Sequence, residues 1–537
     1  MNDGTAHVDT FARDRLPPRE LWPEFRYELP ELQYPERINA GRILIDDAIA
    51  AGHGPRVALY GDLVSWTYAE LAARTNRIAN AMVHQMGVVP GNRVLLRAAN
   101  TPMLVAAWLA VMKVGAIAVT TMPLLRAAEL AVIAKRAAIQ HALCDAGLAA
   151  ELKLAAADSQ QLDRIVCWGN DELESMMRRE ADTFTAVDTA RDDVCLLAFT
   201  SGTTGAPKAT MHFHRDVLAM ADTVGRHLVK TTPDDIYLGS PPLGFTFGLG
   251  ALLVFPLRFR GSAALVAQPS AEALLHAVQT YRATCIFTAP TMYRQMIAVA
   301  PRYDLSSLRR CVSAGEPLPR TTWDAWHEAT GLRIIDGIGG TEMTHIFIGS
   351  ADDDIRPGAT GKPLPGYSAC VLDARDSPMS RGTGRLAVKG PTGCRYMDDP
   401  RQRQYVVNGW NVTGDIYRID ADGYFWFEAR ADDMIVSAGY NIAGPEVEAA
   451  LATHPAVSEC AVIGIPDAER GQIAKGFVVL KEGFTGDAAL ARELQVFVKN
   501  SIAPYKYPRA IAFVPSLPKT PSGKLQRHAL RDLDKTA

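Results

Sequence analysis

The chain lacks paired cysteines, a charge excess, an apolar leader, a repeat and a clean membrane span. Each absence removes a class of protein. None of the eight cysteines, Cys144, Cys167, Cys195, Cys285, Cys311, Cys370, Cys394 and Cys460, stands in a CxxC pair, so no zinc ribbon or thioredoxin-like site is expected. Single cysteines scattered through 537 residues read as reduced thiols of a cytoplasmic protein. Lys plus Arg number 56 against 59 Asp plus Glu, a net charge of −3. A balance so near neutrality argues against a protein that grips nucleic acid through its phosphates. Residues 1–15 carry Asp3, Asp9 and Asp14 without an apolar core, so no secretory leader is expected there. The absence of a repeat with a period of roughly 20–50 residues removes solenoids and propellers. Residues 104–125 are almost wholly apolar, but Lys113 lies near their centre and Gly115 and Pro123 interrupt them. A central Lys is costly in a bilayer, so the pattern predicts a buried helix over 104–112 leading into a buried strand over 116–120.

What is present is ordinary globular composition, 48% hydrophobic and 21% charged, in a chain long enough for two to four folding units. Helical patterns at 69–85 and 271–281 alternate with β-branched runs at 93–97, 194–199 and 285–288. This alternation predicts layered α/β architecture with largely parallel sheets. Residues 354–412 are instead dense in Gly and Pro, with short strands at 369–372 and 385–388, and read as a β-rich piece. The charge cluster Glu428, Arg430, Asp432, Asp433 precedes another change of pattern. Beyond it a helix is expected over 446–451, with Pro445 in its first turn and Glu446 and Glu448 at its positive end. Strands follow at 461–465 and 476–480, then an amphipathic helix at 488–501. A boundary near Ala431 leaves a C-terminal unit of about 105 residues, a normal domain size.

The run Thr200-Ser201-Gly202-Thr203-Thr204-Gly205-Ala206-Pro207-Lys208 directly follows the strand expected at 194–199. Glycines let successive N–H groups turn toward one point, and hydroxyls with a terminal Lys complete a nest for polyphosphate. It is neither a Walker A loop nor a dinucleotide GxGxxG. A Ser/Thr/Gly surface linker also fits the composition; the preceding strand and the Lys count against it. The run resembles the phosphate loop of the adenylate-forming superfamily, which includes acyl-CoA synthetases, peptide-synthetase adenylation domains and luciferases.

The resemblance extends in order to Lys524. Ser313-Ala314-Gly315-Glu316-Pro317-Leu318 resembles the superfamily's turn beside adenine. Asp336-Gly337-Ile338-Gly339-Gly340-Thr341-Glu342 resembles its aromatic-Gly-x-Thr-Glu motif. There the Thr touches phosphate, the Glu helps to hold Mg²⁺, and Asp336 falls where an Asn or Asp faces the adenine amino group. A carboxylate is a natural Mg²⁺ ligand beside phosphates. Ile338 departs from the usual aromatic, a variant shared with benzoate-type ligases. Asp415 of Thr413-Gly414-Asp415 matches the ribose-binding Asp, since a carboxylate suits two vicinal hydroxyls. Arg430 matches a ribose or phosphate Arg, with Ala429 in place of the usual Gly, and Asp432 matches the interdomain hinge. Ser437-Ala438-Gly439-Tyr440 resembles the strand that enters the site after domain rotation, Gly439 giving the pantetheine arm room. Lys524, closing Pro518-Lys519-Thr520-Pro521-Ser522-Gly523-Lys524, matches the adenylation lysine, whose cation favours a transition state that crowds negative charges. Val64-Ser65-Trp66-Thr67-Tyr68-Ala69-Glu70-Leu71 resembles a weaker N-terminal signature; a plain strand–helix junction with a Thr cap fits as well.

For the acid, Phe245, Thr246 and Phe247 with His345 and Ile346 would form a flat, mostly apolar slot suited to a benzene ring. His345 or Thr246 would meet a ring amino or hydroxyl group. No Asp between residues 239 and 258 could hold an α-ammonium, which disfavours amino-acid adenylation. The block 198–251 looks most like benzoate- and 2-aminobenzoate-CoA ligases. His212 and His214 imitate a metal pair, but no further ligand stands out nearby, so a structural role is expected, with His212 near phosphate.

The resemblance thus implies an α/β protein. Its large N-terminal AMP-binding domain, 1–430, has layered mixed sheets with helices and a β-rich subdomain. Its small mobile α+β C-terminal domain, 431–537, carries Lys524. It implies a cytoplasmic monomer or homodimer that uses ATP, Mg²⁺ and coenzyme A to ligate an aromatic acid through an acyl-adenylate, with no nucleic acid and no membrane as partner. The rivals are an aliphatic acyl-CoA synthetase, a non-catalytic nucleotide-binding homologue and a luciferase-like oxidase.

Overall fold

The computed structural model describes residues 4–62, 64–159, 161–200, 207–430, 435–442, 444–518 and 527–536. Among these residues four sheets form. The first runs in the order Arg164–Trp168, His141–Asp145, Arg93–Arg97, Ile117–Thr121, Val194–Thr200, Lys208–Phe213. Its strands are parallel except the last, which turns back along Val194–Thr200. The second has a parallel centre of Val57–Tyr60, Ser262–Ala264, Ile236–Gly239, Cys285–Thr288, Arg310–Ser313 and Ile334–Gly339. Antiparallel strands Ser65–Thr67 and Ile346–Gly349 flank that centre.

Both sheets are covered on two faces, which is why their strands are continuous apolar runs rather than alternating ones. Val94 and Leu96 belong to one buried cluster and Leu95 to another. The helix Pro102–Lys113 lies in the cluster that also takes in Tyr237, Phe287 and Val312 of the second sheet. It is therefore buried all round and carries no polar stripe.

The parallel strands of both sheets end on the same side of a single cleft. Thr121, Thr200, Ser240, Ala289, Ala314 and Gly340, each at or just beyond a strand's carboxyl end, line one cavity. Such a crevice is where open α/β sheets bind ligands. The third sheet is antiparallel, with Ser368–Leu372, Gly382–Lys389, Trp410–Ile419 and Phe425–Arg430 as its main strands. The fourth belongs to a separate C-terminal α+β domain, and packs Val457–Asp467 and Gly471–Leu480 against the helices Gly444–Ala452 and Ala488–Ser501.

Most expected elements are found within a residue or two, and the differences have local causes. The strand expected at 116–120 begins at Ile117 because Ala116 N–H still bonds the Val111 carbonyl, closing the preceding helix with Gly115 at φ +71°. The strand expected at 461–465 runs from Val457 to Asp467. Pairing with Gly471–Leu480 carries the ladder through Gly464 and on past Pro466. At the N-terminal junction Thr67 and Glu70 form a reciprocal capping box that starts the helix Tyr68–His84.

Lys113 is fully buried, and its ammonium donates to Asp46 Oδ1 at 2.7 Å and Asn76 Oδ1 at 2.6 Å. Asp46 keeps 31% of its side chain exposed. No helix among the described residues is long and apolar enough to cross a membrane. Removing one partner of a buried pair strands the other charge at a cost of about 3–5 kcal/mol, whereas removing the buried member leaves a carboxylate that water can reach. Asp46→Ala is therefore expected to lower the thermal midpoint by several degrees, and Lys113→Met by clearly less, as read by thermal denaturation.

Candidate active site

The cleft encloses a cavity of about 780 Å³. Its walls include the strand ends, the turn around Thr341 and the C-terminal hairpin of Ile435–Ser437 and Tyr440–Ile442. Thr200, Gly315, Gly339 and Thr341 line it, as do all five residues expected for the acid slot, Phe245, Thr246, Phe247, His345 and Ile346.

The acid end is built by two segments. Phe245 precedes the short helix Thr246–Leu249, and His345 and Ile346 follow a tight turn. That turn requires Thr344 at φ +65°, a conformation rare for a residue with a side chain. Gly250 makes room for the imidazole, since a Cβ there would sit 2.4 Å from His345 Cδ2. His345 packs edge-on to Phe255 at 4.7 Å and tilted to Phe247 at 5.4 Å. Its Nε2 donates to the Phe247 carbonyl at 3.2 Å, leaving Nδ1 buried without a partner. Burial pushes the imidazole down to about 3, so the ring is neutral at physiological pH and Nδ1 is an acceptor.

The turn expected to meet phosphate is held largely by side chains outside the sequence motifs. His212 Nε2 donates to the Thr341 carbonyl at 2.8 Å. Behind it the fully buried Asp216 pairs with the fully buried Arg395. Tyr396 donates its hydroxyl to Glu342 Oε1 at 2.5 Å, and Lys208 Nζ donates to that hydroxyl at 3.2 Å. Residues 395–397 run against the strand Lys208–Phe213, through bonds from Met211 N–H to Arg395 O and from Met397 N–H to Ala209 O. No spacing rule points to Tyr396, because it reaches Glu342 only through this long-range pairing. His212 takes the structural role expected of it, and His214 accepts the Ala40 N–H at 3.1 Å. No group of three or more metal-ligating residues occurs among the described residues.

Asp415 lies directly opposite Arg430 in the antiparallel register, which brings the two expected ribose-binding positions together. Glu316 accepts from Thr291 Oγ1 at 3.0 Å, and burial raises its carboxyl to about 7. Ile338, half-buried, packs on the main core cluster. Gly337 and Gly339 permit the close approach of the returning strand: a Cβ on Gly339 would fall 2.6 Å from the His345 carbonyl. Asp336 borders a separate pocket of about 10 Å³, the size of one water, and its Oδ1 is buried without a partner.

From the C-terminal side, Ala438 and Gly439, at φ +49° and +82°, form the hairpin turn. Gly439 approaches closely, since a Cβ there would lie 3.1 Å from Ala289 Cβ. Tyr440 lines the cavity and stacks on Tyr505 at 4.4 Å. Ser437 does not line it; its Oγ accepts from Arg470 Nε at 3.3 Å. Next to Tyr505, Lys506 donates to Glu129 and Glu446, each at 2.6 Å. Ser201, Gly202, Thr203, Thr204, Gly205, Asp432 and Lys524 lie outside the described residues.

Comparison with known proteins agrees with this geometry. The profile of the AMP-binding enzyme family matches residues 47–395, and that of the AMP-binding enzyme C-terminal domain matches residues 446–524. A benzoate–CoA ligase of Thauera aromatica is 34% identical over 94% of this chain and 97% of its own length. The mitochondrial acyl-coenzyme A synthetase ACSM3 of Homo sapiens is 31% identical over 93% of this chain and 90% of its own. The crystal structure of the anthranilate CoA ligase AuaEII with anthranoyl-AMP superposes with a TM-score of 0.74 and 34% identity, covering 95% of this chain and all of that one.

Burial raises the Asp336 carboxyl to about 8 from an ordinary 3.8. Between those values the folded chain binds a proton that the unfolded chain has released, so this group's contribution to stability falls as pH rises through the window. Asp336→Asn is expected to raise the thermal midpoint by a few degrees at pH 8, by clearly less at pH 5, and not at all once pH falls below the ordinary value of 3.8. Thermal melts across pH check this.

Proposed function

The chain belongs to the AMP-binding enzyme family, and from that premise we propose that this acyl-CoA ligase joins an aromatic acid of benzoate or 2-aminobenzoate type to coenzyme A through an acyl-adenylate. ATP is split to AMP and pyrophosphate. The observation that carries the reading is the continuity of one cavity from the Phe245–Phe247–His345 slot to Thr341 and Gly339. An aromatic carboxylate seated among these rings would present its oxygens to the turn where the α-phosphate belongs.

The ring end supports a substituted acid. The neutral His345 keeps Nδ1 as a buried acceptor without a donor, and a ring amino or hydroxyl group supplies one. A second reading, an aliphatic acid, draws support from the similarity to the acyl-coenzyme A synthetase ACSM3 and from the apolar wall of Met122, Leu125 and Ile133.

In the proposed first step the carboxylate attacks the α-phosphate. The serine, threonines and glycines of 200–205 cradle the phosphates together with Lys208. Thr341 donates its hydroxyl to phosphate, and Asp415 and Arg430 hold the ribose. Gly315, Glu316, Asp336, Gly337 and Ile338 frame the adenine. Glu342, a single half-buried carboxylate, suits Mg²⁺, which binds through one or two carboxylates plus substrate phosphates. When bound there, Mg²⁺ offsets phosphate charge. Lys524 bridges the carboxylate and α-phosphate. The domains, 1–430 and 431–537, then turn about Asp432, and Gly439 opens a path for the CoA thiol. The Gly439 hairpin against Ala289 and Gly315 suits this second, thioester-forming step.

Two measurements test the reading. Pyrophosphate release with ATP and Mg²⁺ is expected to be strongest with benzoate, 2-aminobenzoate or a hydroxybenzoate, and weak with butyrate or octanoate, with thioester formed only when CoA is added. Preference for octanoate would replace the aromatic acid by the aliphatic one. Lys524→Ala is expected to slow adenylation by on the order of a hundredfold or more while leaving thioester formation from supplied acyl-adenylate nearly intact. Equal loss in both half-reactions would refute the role of Lys524.

A further inference from the structure

We propose that the Tyr396 hydroxyl is a positioning group for adenylation, orienting the Glu342 carboxylate for its cation and tying it to Lys208 at the end of the phosphate loop. The proposal rests on the reading of Glu342 given above and adds a residue that none of the recognised motifs contains. It begins with polarity. An ammonium can only donate and an ionised carboxylate can only accept. A single hydroxyl between them must therefore accept from Lys208 at 3.2 Å and donate to Glu342 Oε1 at 2.5 Å. That leaves one defined orientation of the O–H and one preferred rotamer for the carboxylate.

The hydroxyl itself cannot drift. Tyr396 is 1% exposed, and its ring meets Tyr405 edge-on at 5.7 Å. Its backbone is bridged to Thr210 beside the strand that carries Lys208. Glu342, by contrast, is only half-buried; the bonds of His212 and Thr392 hold the backbone of its turn, not its carboxylate. Tyr396 is thus the group that aims the carboxylate, and a carboxylate with one oxygen occupied keeps the other for a cation. A charge-assisted bond of this kind is stronger than a neutral one, enough to change a cation's affinity measurably.

Tyr396→Phe removes the hydroxyl and keeps the ring. The Mg²⁺ concentration for half-maximal pyrophosphate release is expected to rise on the order of tenfold. The affinity of Mn²⁺ for the enzyme in the presence of α,β-methylene-ATP, read by electron paramagnetic resonance, should fall by a similar factor. Thioester formation from supplied acyl-adenylate should stay within twofold, and the thermal midpoint within a few degrees. In a Glu342→Gln background, Tyr396→Phe should add little, because the residue acts through Glu342. An unchanged Mg²⁺ requirement and Mn²⁺ affinity, or a parallel loss in both half-reactions, would overturn the proposal. Should the phenylalanine variant not fold, Glu342→Asp draws the carboxylate one methylene back from the hydroxyl, and an unaltered Mg²⁺ requirement there overturns it as well. Failure of the parent enzyme to release pyrophosphate with any acid would instead remove the underlying reading.

Discussion

The turn from Gly340 to Ile346 cannot hold its shape alone, and the rest of the site depends on what holds it. Thr344 is kept at φ +65°, a conformation that costs on the order of 1–3 kcal/mol and persists only where the surroundings over-determine it. Here they do. His212 takes the Thr341 carbonyl, Thr392 donates to the Met343 carbonyl at 2.8 Å, and the returning strand pairs Ile346 with Gly339. One strained turn therefore sets at fixed separation two pairs of residues: Thr341 and Glu342, proposed for phosphate, and His345 and Ile346, proposed for the acid. Behind it, the buried Arg395–Asp216 pair braces the strand that carries His212. A buried ion pair adds little net stability, but breaking it would release the anchor of the turn.

Burial works in opposite senses on the buried charges of this chain. Where a charge has a partner it is kept, as for Lys113 with Asp46 and for Lys506 with Glu129 and Glu446. Where no ion pair forms, burial favours the neutral form: His345 is pushed down to about 3, Asp336 up to about 8 and Glu316 up to about 7. The neutral groups are the ones at the rings and at the expected adenine site, where a ligand with hydrogen-bonding edges rather than charge would sit. The paired Lys506 lies instead between the two domains, next to Tyr505. From there a row of rings, Tyr505, Tyr440 and Phe245, reaches the acid end of the cavity. The placement of the C-terminal hairpin is thus tied by packing to the pocket that the N-terminal sheets build.

Local pattern sufficed wherever the physics was local. Strands 93–97 and 285–288 and helices 271–281 and 488–501 were legible because apolar period, caps and breakers all act within a few residues. The same holds for the chemistry of loops: glycines and hydroxyls ahead of Lys208 suggest phosphate by composition, the Thr-Glu pair at 341–342 does so only through the resemblance, and the order of such motifs carries the family. The five residues expected at an acid slot, Phe245 to Phe247 with His345 and Ile346, line one cavity, though their segments are about a hundred residues apart and meet only through the sheet.

What only the tertiary structure decided is every property set by a distant neighbour. The tautomer and neutrality of His345 follow from the Phe247 carbonyl and from burial among Phe255 and Phe287. The strand 457–467 survives its Gly464 and Pro466 because its partner supplies the ladder. Ser437, expected at the thiol path, turns aside to hold Arg470. Tyr396 has no signal of its own: it becomes part of the site when residues 395–397 pair with a strand nearly two hundred positions earlier. Hydrogen-bond partners and desolvation are properties of a three-dimensional neighbourhood, and no spacing along one chain encodes which neighbour that will be.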